Sequence, residues 1–205
     1  MTEAEFDGLL ALGEKQRIEY KGPGRATDKA FIARIARAVL GMANRRDGGL
    51  VIVGVEEVSR RLNSVGLDAA MLATWHARDN VQAAINAYAD PSASLDIEFD
   101  PISRRCVVIR VREFSDQPLL CKKGWTDPGR GGKEILREGA CYVRPSRNVG
   151  TSEIATQEDM RALLDLAIEK GVGKAIALMR TVGLLPSTRA LPSDSEKYEG
   201  ELEDE

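Results

Sequence analysis

A single histidine, His76, is the whole imidazole complement of this 205-residue chain, which excludes a multi-histidine metal centre and leaves little room for histidine-based catalysis. Cysteine is almost as scarce. Cys106, Cys121 and Cys141 are odd in number and far apart, so a disulfide framework is excluded and reduced thiols in a cytoplasmic setting are expected. Together with His76 they reach a zinc ligand count, yet no two share the close spacing of a zinc site, and buried thiols are the expectation. His76 lies at helical spacing from Leu72 and reads as a packing residue. Aromatic residues make up 5% of the chain, and no apolar run approaches membrane-spanning length. The first twelve positions carry three acids and no basic run, unlike a secretory signal. A hydrophobic content of 43% still supplies one soluble core plus a tail, without enough chain for two full domains.

Charge of one sign is missing overall, because the formal net is only −3. The balance is uneven. Ser193 to Glu205 hold seven acidic residues and one lysine, a net of −6, which leaves residues 1–192 at +3. A terminal run of this kind is expected to be solvated and disordered, or to compete with nucleic acid for a basic face.

What is present is a sequence of short, well-punctuated elements. Phe6, Leu9, Leu10 and Leu12 predict a helix over 3–15, and Ile18 and Tyr20 alternating with Glu19 predict a strand over 17–21 that Gly22-Pro23-Gly24 breaks. From Asp28 to Ala43, Phe31, Ile32, Ile35, Ala36, Val39 and Leu40 form a buried helical stripe. That helix stops at Asn44, Gly48-Gly49 turn the chain, and a continuous apolar strand over 50–55 reads as buried on both faces. Val58 to Gly66 reads as a returning hairpin or loop, and Asp68 as the N-cap of a helical region that Asp90-Pro91 ends. Leu95 to Phe99 and Arg105 to Val111 predict a hairpin, with shorter strands at 118–121, 135–136 and 140–143. Thr156 caps a helix over 157–170, which Gly171-Val172-Gly173 should separate from another over 174–182. Helices and strands in irregular order mean an α+β class, a mixed β-sheet packed with helices.

The chemistry gathers around the glycine turn. Its strand runs to Gly54 and delivers Glu56-Glu57, and carboxylates converging from separate elements make a hard-oxygen cage suited to Mg²⁺ or Mn²⁺. Such an ion activates water and neutralises charge on a phosphodiester. Glu14, Glu19, Glu56 and Glu57 are the candidate ligands. Lys21 follows Glu19 by two positions and shares its strand face, where it either holds a phosphate or pairs with Glu19.

The glycine pair, the apolar strand, Gly54-Val55 and Glu56-Glu57, with Glu19-Tyr20-Lys21 upstream and Tyr142-Val143-Arg144 downstream, resemble the AlbA_2 domain of Schlafen-type proteins over about residues 10 to 155. The chain departs from that pattern by one extra residue between Asn44 and Gly48, and by Glu where the family commonly has Asp. The resemblance implies a single AlbA_2-like lobe and an acidic triad of Glu14, Glu19 and either Glu56 or Glu57. It also implies a homodimer, since Schlafen-type nucleases build their cleft from two lobes.

Basic residues recur in the loops at Arg45, Arg46, Lys122, Lys123, Arg130, Lys133, Arg144 and Arg147, and arginine forks suit phosphate oxygens. Arg144 and Arg147 stand out because they follow the segment that resembles the family's Tyr-x-Arg motif. Trp125 lies among several of these cations and either stacks on a base or caps the domain edge. Gly129-Arg130-Gly131-Gly132-Lys133-Glu134 imitates a phosphate loop but has Glu in place of the Ser or Thr that binds magnesium, which argues against an ATPase.

The expected organisation is an AlbA_2-like domain over 1–155, a helical segment over 156–183 packed on it, and the acidic tail over 184–205. The expected function is nucleic-acid binding, RNA favoured over DNA, with divalent-metal-dependent endoribonuclease action on structured RNA such as tRNA. The alternative is a non-catalytic DNA- or RNA-binding regulatory module.

Overall fold

The computed structural model describes residues 2–12, 16–58, 61–103, 105–145 and 149–186. The chain divides into two compact units, Met1–Ile168 and Glu169–Glu205.

The first unit starts with α1 (Glu3–Leu12) and β1 (Ile18–Lys21), then crosses over through α2 (Lys29–Ala43) into β2 (Gly49–Val53). A parallel pair needs such a crossover, and β1 runs parallel to β2 with Glu19 opposite Val51. Asp28 caps α2 by accepting hydrogen bonds from the Ala30 and Phe31 backbone N–H groups. β3 (Val55–Val58) and β4 (Arg61–Ser64) form a hairpin, followed by α3 (Ala69–Trp75), α4 (Arg78–Asn86) and β5 (Ala89–Asp90). β6 (Leu95–Phe99) and β7 (Val107–Val111) complete a mixed sheet in the order β1-β2-β7-β6. β8 (Leu120–Cys121) pairs with β5, β9 (Trp125–Asp127) with β10 (Lys133–Leu136), and β11 (Tyr142–Val143) with β12 (Ser152–Glu153). The unit is α+β.

The main sheet is covered on both faces, which is why β2 reads as an unbroken apolar run. Val51 and Val53 join the core built on α2, whereas Ile52 packs with Phe6, Ile18, Cys106 and Val108 on the other side. Two glycines shape the entry to and exit from this strand. Asp47 and Gly48 both have a φ of 63°, and a Cβ on Gly48 would lie 2.0 Å from the Val111 carbonyl oxygen. At the far end Gly54, with a φ of 97°, divides the expected single strand over 50–55 into β2 and β3.

Three further expectations change in detail. The helical region after Asp68 is two helices, α3 and α4. The expected strand over 140–143 shortens to Tyr142–Val143. The glycines at 171 and 173 do not break a helix: α5 (Gln157–Thr181) runs through both. Each glycine costs an exposed helix only about 1 kcal/mol, and good helix formers on either side outweigh that. Thr156 does cap α5, accepting from the Asp159 backbone N–H at 3.2 Å. The second unit is described as far as residue 186, and its part of α5 is exposed from Gly171 onward.

Candidate functional site

Glu19 stands on β1 with its side chain 9% exposed, and both of its oxygens are engaged. Lys21 Nζ pairs with Oε1, while Arg144 Nη1 pairs with Oε2, which also accepts from the Thr151 hydroxyl at 3.3 Å. Arg144 is fully buried along its side chain and donates from Nε to the Gln16 carbonyl at 2.8 Å and from Nη2 to the Ile18 carbonyl at 3.3 Å. Buried charges persist only when paired and hydrogen-bonded in this way. The two motifs that sequence reasoning assigned to metal and to phosphate are therefore bonded to each other, joining β1 to the segment after β11. Thr151 completes the cluster from a position that sequence reasoning missed. The signal was Gly41 in the last turn of α2, where a Cβ would lie 2.6 Å from Thr151 Cγ2.

The two acids after Gly54 diverge. Glu56 lies over Gly22, the residue after Lys21: a Cβ on Gly22 would be 2.9 Å from Glu56 Oε1. Glu57, one position on, alternates to the opposite face of the hairpin, and both are exposed. Glu14 and Arg147 lie outside the described residues, as do the tail from Ser193 and the side chain of Arg130. Among the described residues, no three Asp, Glu, His or Cys side chains are placed to hold a metal ion.

A cleft of about 370 Å³ opens beside this cluster at the C-terminal end of α2, with Gln16, Asn44, Arg45, Arg46 and Arg144 on its walls. Asn44 anchors it. Its Nδ2 donates to the carbonyls of Leu119 and Tyr142 at 2.8 and 2.9 Å, and its Oδ1 accepts from the Leu119 N–H at 2.7 Å. Read in the sequence as a helix end, Asn44 is a buried pin between α2, the approach to β8, and β11. Arg45 follows it, donating from Nη2 to Gln16 Oε1 at 3.3 Å, while its Nη1 is buried without a hydrogen-bond partner. Burial, then the guanidiniums of Arg17 and Arg144, pull the Arg45 pKa below its ordinary value, and Asp47 partly offsets them. Three cations thus crowd one spot, although Arg17 is paired with Asp47. Glu158 and Asp159, from the first turn of α5, line the same cleft.

The remaining basic residues gather elsewhere. Lys122, Lys123 and Lys133 are exposed on or beside β8 and β10. Lys123 and Trp125 line a second cleft of about 550 Å³ with Ala26, Thr27 and Lys29, at the N-terminal end of α2. Fifteen helical residues separate the two groups by roughly 22 Å. Trp125 is half-buried against the core, and its Nε1 is buried without a hydrogen-bond partner. The segment that imitates a phosphate loop is a short 3₁₀ turn in which the Asp127 carboxylate accepts the Gly129 N–H at 3.0 Å. That carboxylate takes a donor which a phosphate would need. His76 is exposed and stacks beside Phe99 at 4.9 Å.

A family model described as Schlafen, AlbA_2 matches residues 14–151. No curated protein matches the chain. Among solved structures, the DIP2311 protein from Corynebacterium diphtheriae is similar at 18% identity and a TM-score of 0.47, over 78% of this chain and 27% of that one. The N-terminal domain of a RecG-related protein from Nitrosomonas europaea is similar at 19% identity and a TM-score of 0.40, over 75% of this chain and 92% of that domain. The chain spans about a quarter of the length of the DIP2311 protein.

Proposed function

The chain belongs to the Schlafen AlbA_2 family, and from that premise we propose that it binds nucleic acid through the arginine cleft at the C-terminal end of α2. Arg45 carries the reading. Its half-buried guanidinium is crowded by those of Arg17 and Arg144 and has exposed Arg46 beside it, so the cleft wall carries positive charge that a backbone phosphate oxygen would neutralise. RNA is favoured over DNA on the resemblance to Schlafen-type nucleases.

A fluorescence anisotropy titration with an RNA hairpin and a DNA duplex tests this. Arg45→Ala should weaken RNA binding about tenfold or more while leaving the unfolding midpoint unchanged or raised, because the side chain removed is a poorly satisfied buried charge. Unaltered affinity in that variant rejects the cleft as the binding site.

Metal-dependent cleavage of structured RNA such as tRNA is the second reading, favoured by Glu56 lying over the residue next to Lys21. The described residues do not by themselves fit Mg²⁺ or Mn²⁺, since both oxygens of Glu19 are committed to cations. Cleavage requires Glu14 as a further carboxylate and an exchange at Glu19. If tRNA incubated with Mn²⁺ is fragmented equally by the wild type and by Glu56→Gln and Glu19→Gln variants, or by none of them, the binding reading stands alone. A homodimer that pairs two lobes belongs to the same proposal.

A further inference from the structure

We infer that the cleft at the N-terminal end of α2 is a small-molecule site for an aromatic carboxylate, separate from the arginine cleft and from nucleic acid. Its volume of about 550 Å³ exceeds the 370 Å³ of the arginine cleft and falls in the range of ligand pockets. Its walls are mostly apolar. Ile32 comes from α2, Ala73 from α3, Val81 and Ala84 from α4, and the Trp125 ring from β9. Small side chains on α3 and α4 leave the space open, and a flat ring entering it can stack offset on Trp125. Hydrogen bonds at the wall hold it in shape. Thr74 Oγ1 accepts from the Ala26 N–H at 2.9 Å and donates to the Met71 carbonyl at 2.6 Å, while Trp75 Nε1 donates to the Gly24 carbonyl at 2.9 Å. The segment before α2 is thus pinned to α3 without a ligand, and little ordering is left to oppose binding.

Charge selects the ligand. Lys29 and Lys123 both line the cleft and are exposed, and no Asp or Glu is among its described lining residues. Asp28, next to Lys29, has its carboxylate committed to the Ala30 and Phe31 N–H groups at the cap of α2, and Asp79 on α4 lies outside the lining. Neither lysine has an ion pair among the described residues. Two cations without a facing acid favour an anion. A bare anion such as phosphate would exchange its water for walls that offer few hydrogen bonds, so the acid must carry an apolar body that those walls can bury.

Isothermal titration calorimetry of the whole chain with 2-naphthoate tests the inference. One site is expected, with a dissociation constant on the order of tens of micromolar. The neutral 2-naphthalenemethanol keeps the ring without the charge and should bind roughly tenfold more weakly. Octanoate, which keeps the charge without the ring, should also bind more weakly than 2-naphthoate. Lys29→Gln combined with Lys123→Gln should bring 2-naphthoate down to the affinity of the alcohol. Both positions are exposed, so the unfolding midpoint of that variant should be unchanged. Ala84→Leu should abolish binding by filling the cleft. No binding by the wild type, equal affinity for acid and alcohol, or full binding after both lysines are replaced overturns the inference. So does displacement of 2-naphthoate by the RNA hairpin, which would assign the cleft to nucleic acid. Arg45→Ala should bind 2-naphthoate as the wild type does, which keeps a failure of the arginine cleft apart from a failure here.

Discussion

Removing Arg144 would leave the buried Glu19 carboxylate with Lys21 as its charged partner and expose an unmet need for the Thr151 contact to carry more. Stranding one member of a buried pair costs about 3–5 kcal/mol, so Arg144→Met should lower the urea midpoint far more than Arg45→Ala, although both residues line the same cleft. Equal effects on stability would contradict the separation drawn between a structural and a ligand-facing arginine. Cysteine chemistry follows the same local logic. Burial pushes the Cys141 thiol up to about 11 from an ordinary 9.0. A raised folded pKa favours the neutral thiol, so its contribution is whole below the ordinary value and is lost as pH rises through about 11. Native Cys141 should therefore resist iodoacetamide at a pH near its ordinary value and react once the chain is unfolded in urea; rapid native labelling contradicts this. Residue types at this scale were legible in sequence, but their partners were not. Glu19 and Arg144 bond across 125 positions, and a linear spacing shows a carboxylate without showing what neutralises it.

Gly48 and Gly139 are a matched pair for testing the turn that introduces β2. Both have positive φ, 63° and 76°, but a Cβ on Gly48 meets the Val111 carbonyl at 2.0 Å, whereas one on Gly139 meets nothing within 4 Å. Gly139→Ala should cost about 1–2 kcal/mol for the left-handed backbone alone. Gly48→Ala must also push β7 away and should cost clearly more in urea denaturation; equal costs would remove the steric account. Element boundaries followed local rules where a capping side chain announced them, as at Asp68 and Thr156. They departed from those rules at glycines. Gly54 splits a strand because its positive φ redirects the chain, while Gly171 and Gly173 leave α5 whole. Sequence shows the residue in both cases and the φ it adopts in neither.

Over the whole molecule, the formal charge of −3 conceals cations gathered at the two ends of α2. If Arg45 and Arg46 each meet a phosphate of single-stranded RNA, log K should fall against log salt with a slope of about −1.4. Arg45→Ala should reduce that slope by about 0.7, whereas Lys123→Ala, in the cleft at the other end of the helix, should leave it unchanged. A slope near zero for the wild type would remove the electrostatic basis of the proposal.

The α+β class, the two-sided burial of β2, the caps and the family resemblance were determined by the sequence alone, because each rests on periodicity or on a contiguous motif. Tertiary structure decided the rest. It turned Glu56 toward β1 and Glu57 away, bonded the Glu-Tyr-Lys segment to the Tyr-Val-Arg segment, and placed Arg45, Arg46 and Arg144 in one cleft and Lys123 in another. Those outcomes depend on which strand lies beside which and on the direction a glycine turns the chain, and both are set by packing between residues distant in sequence.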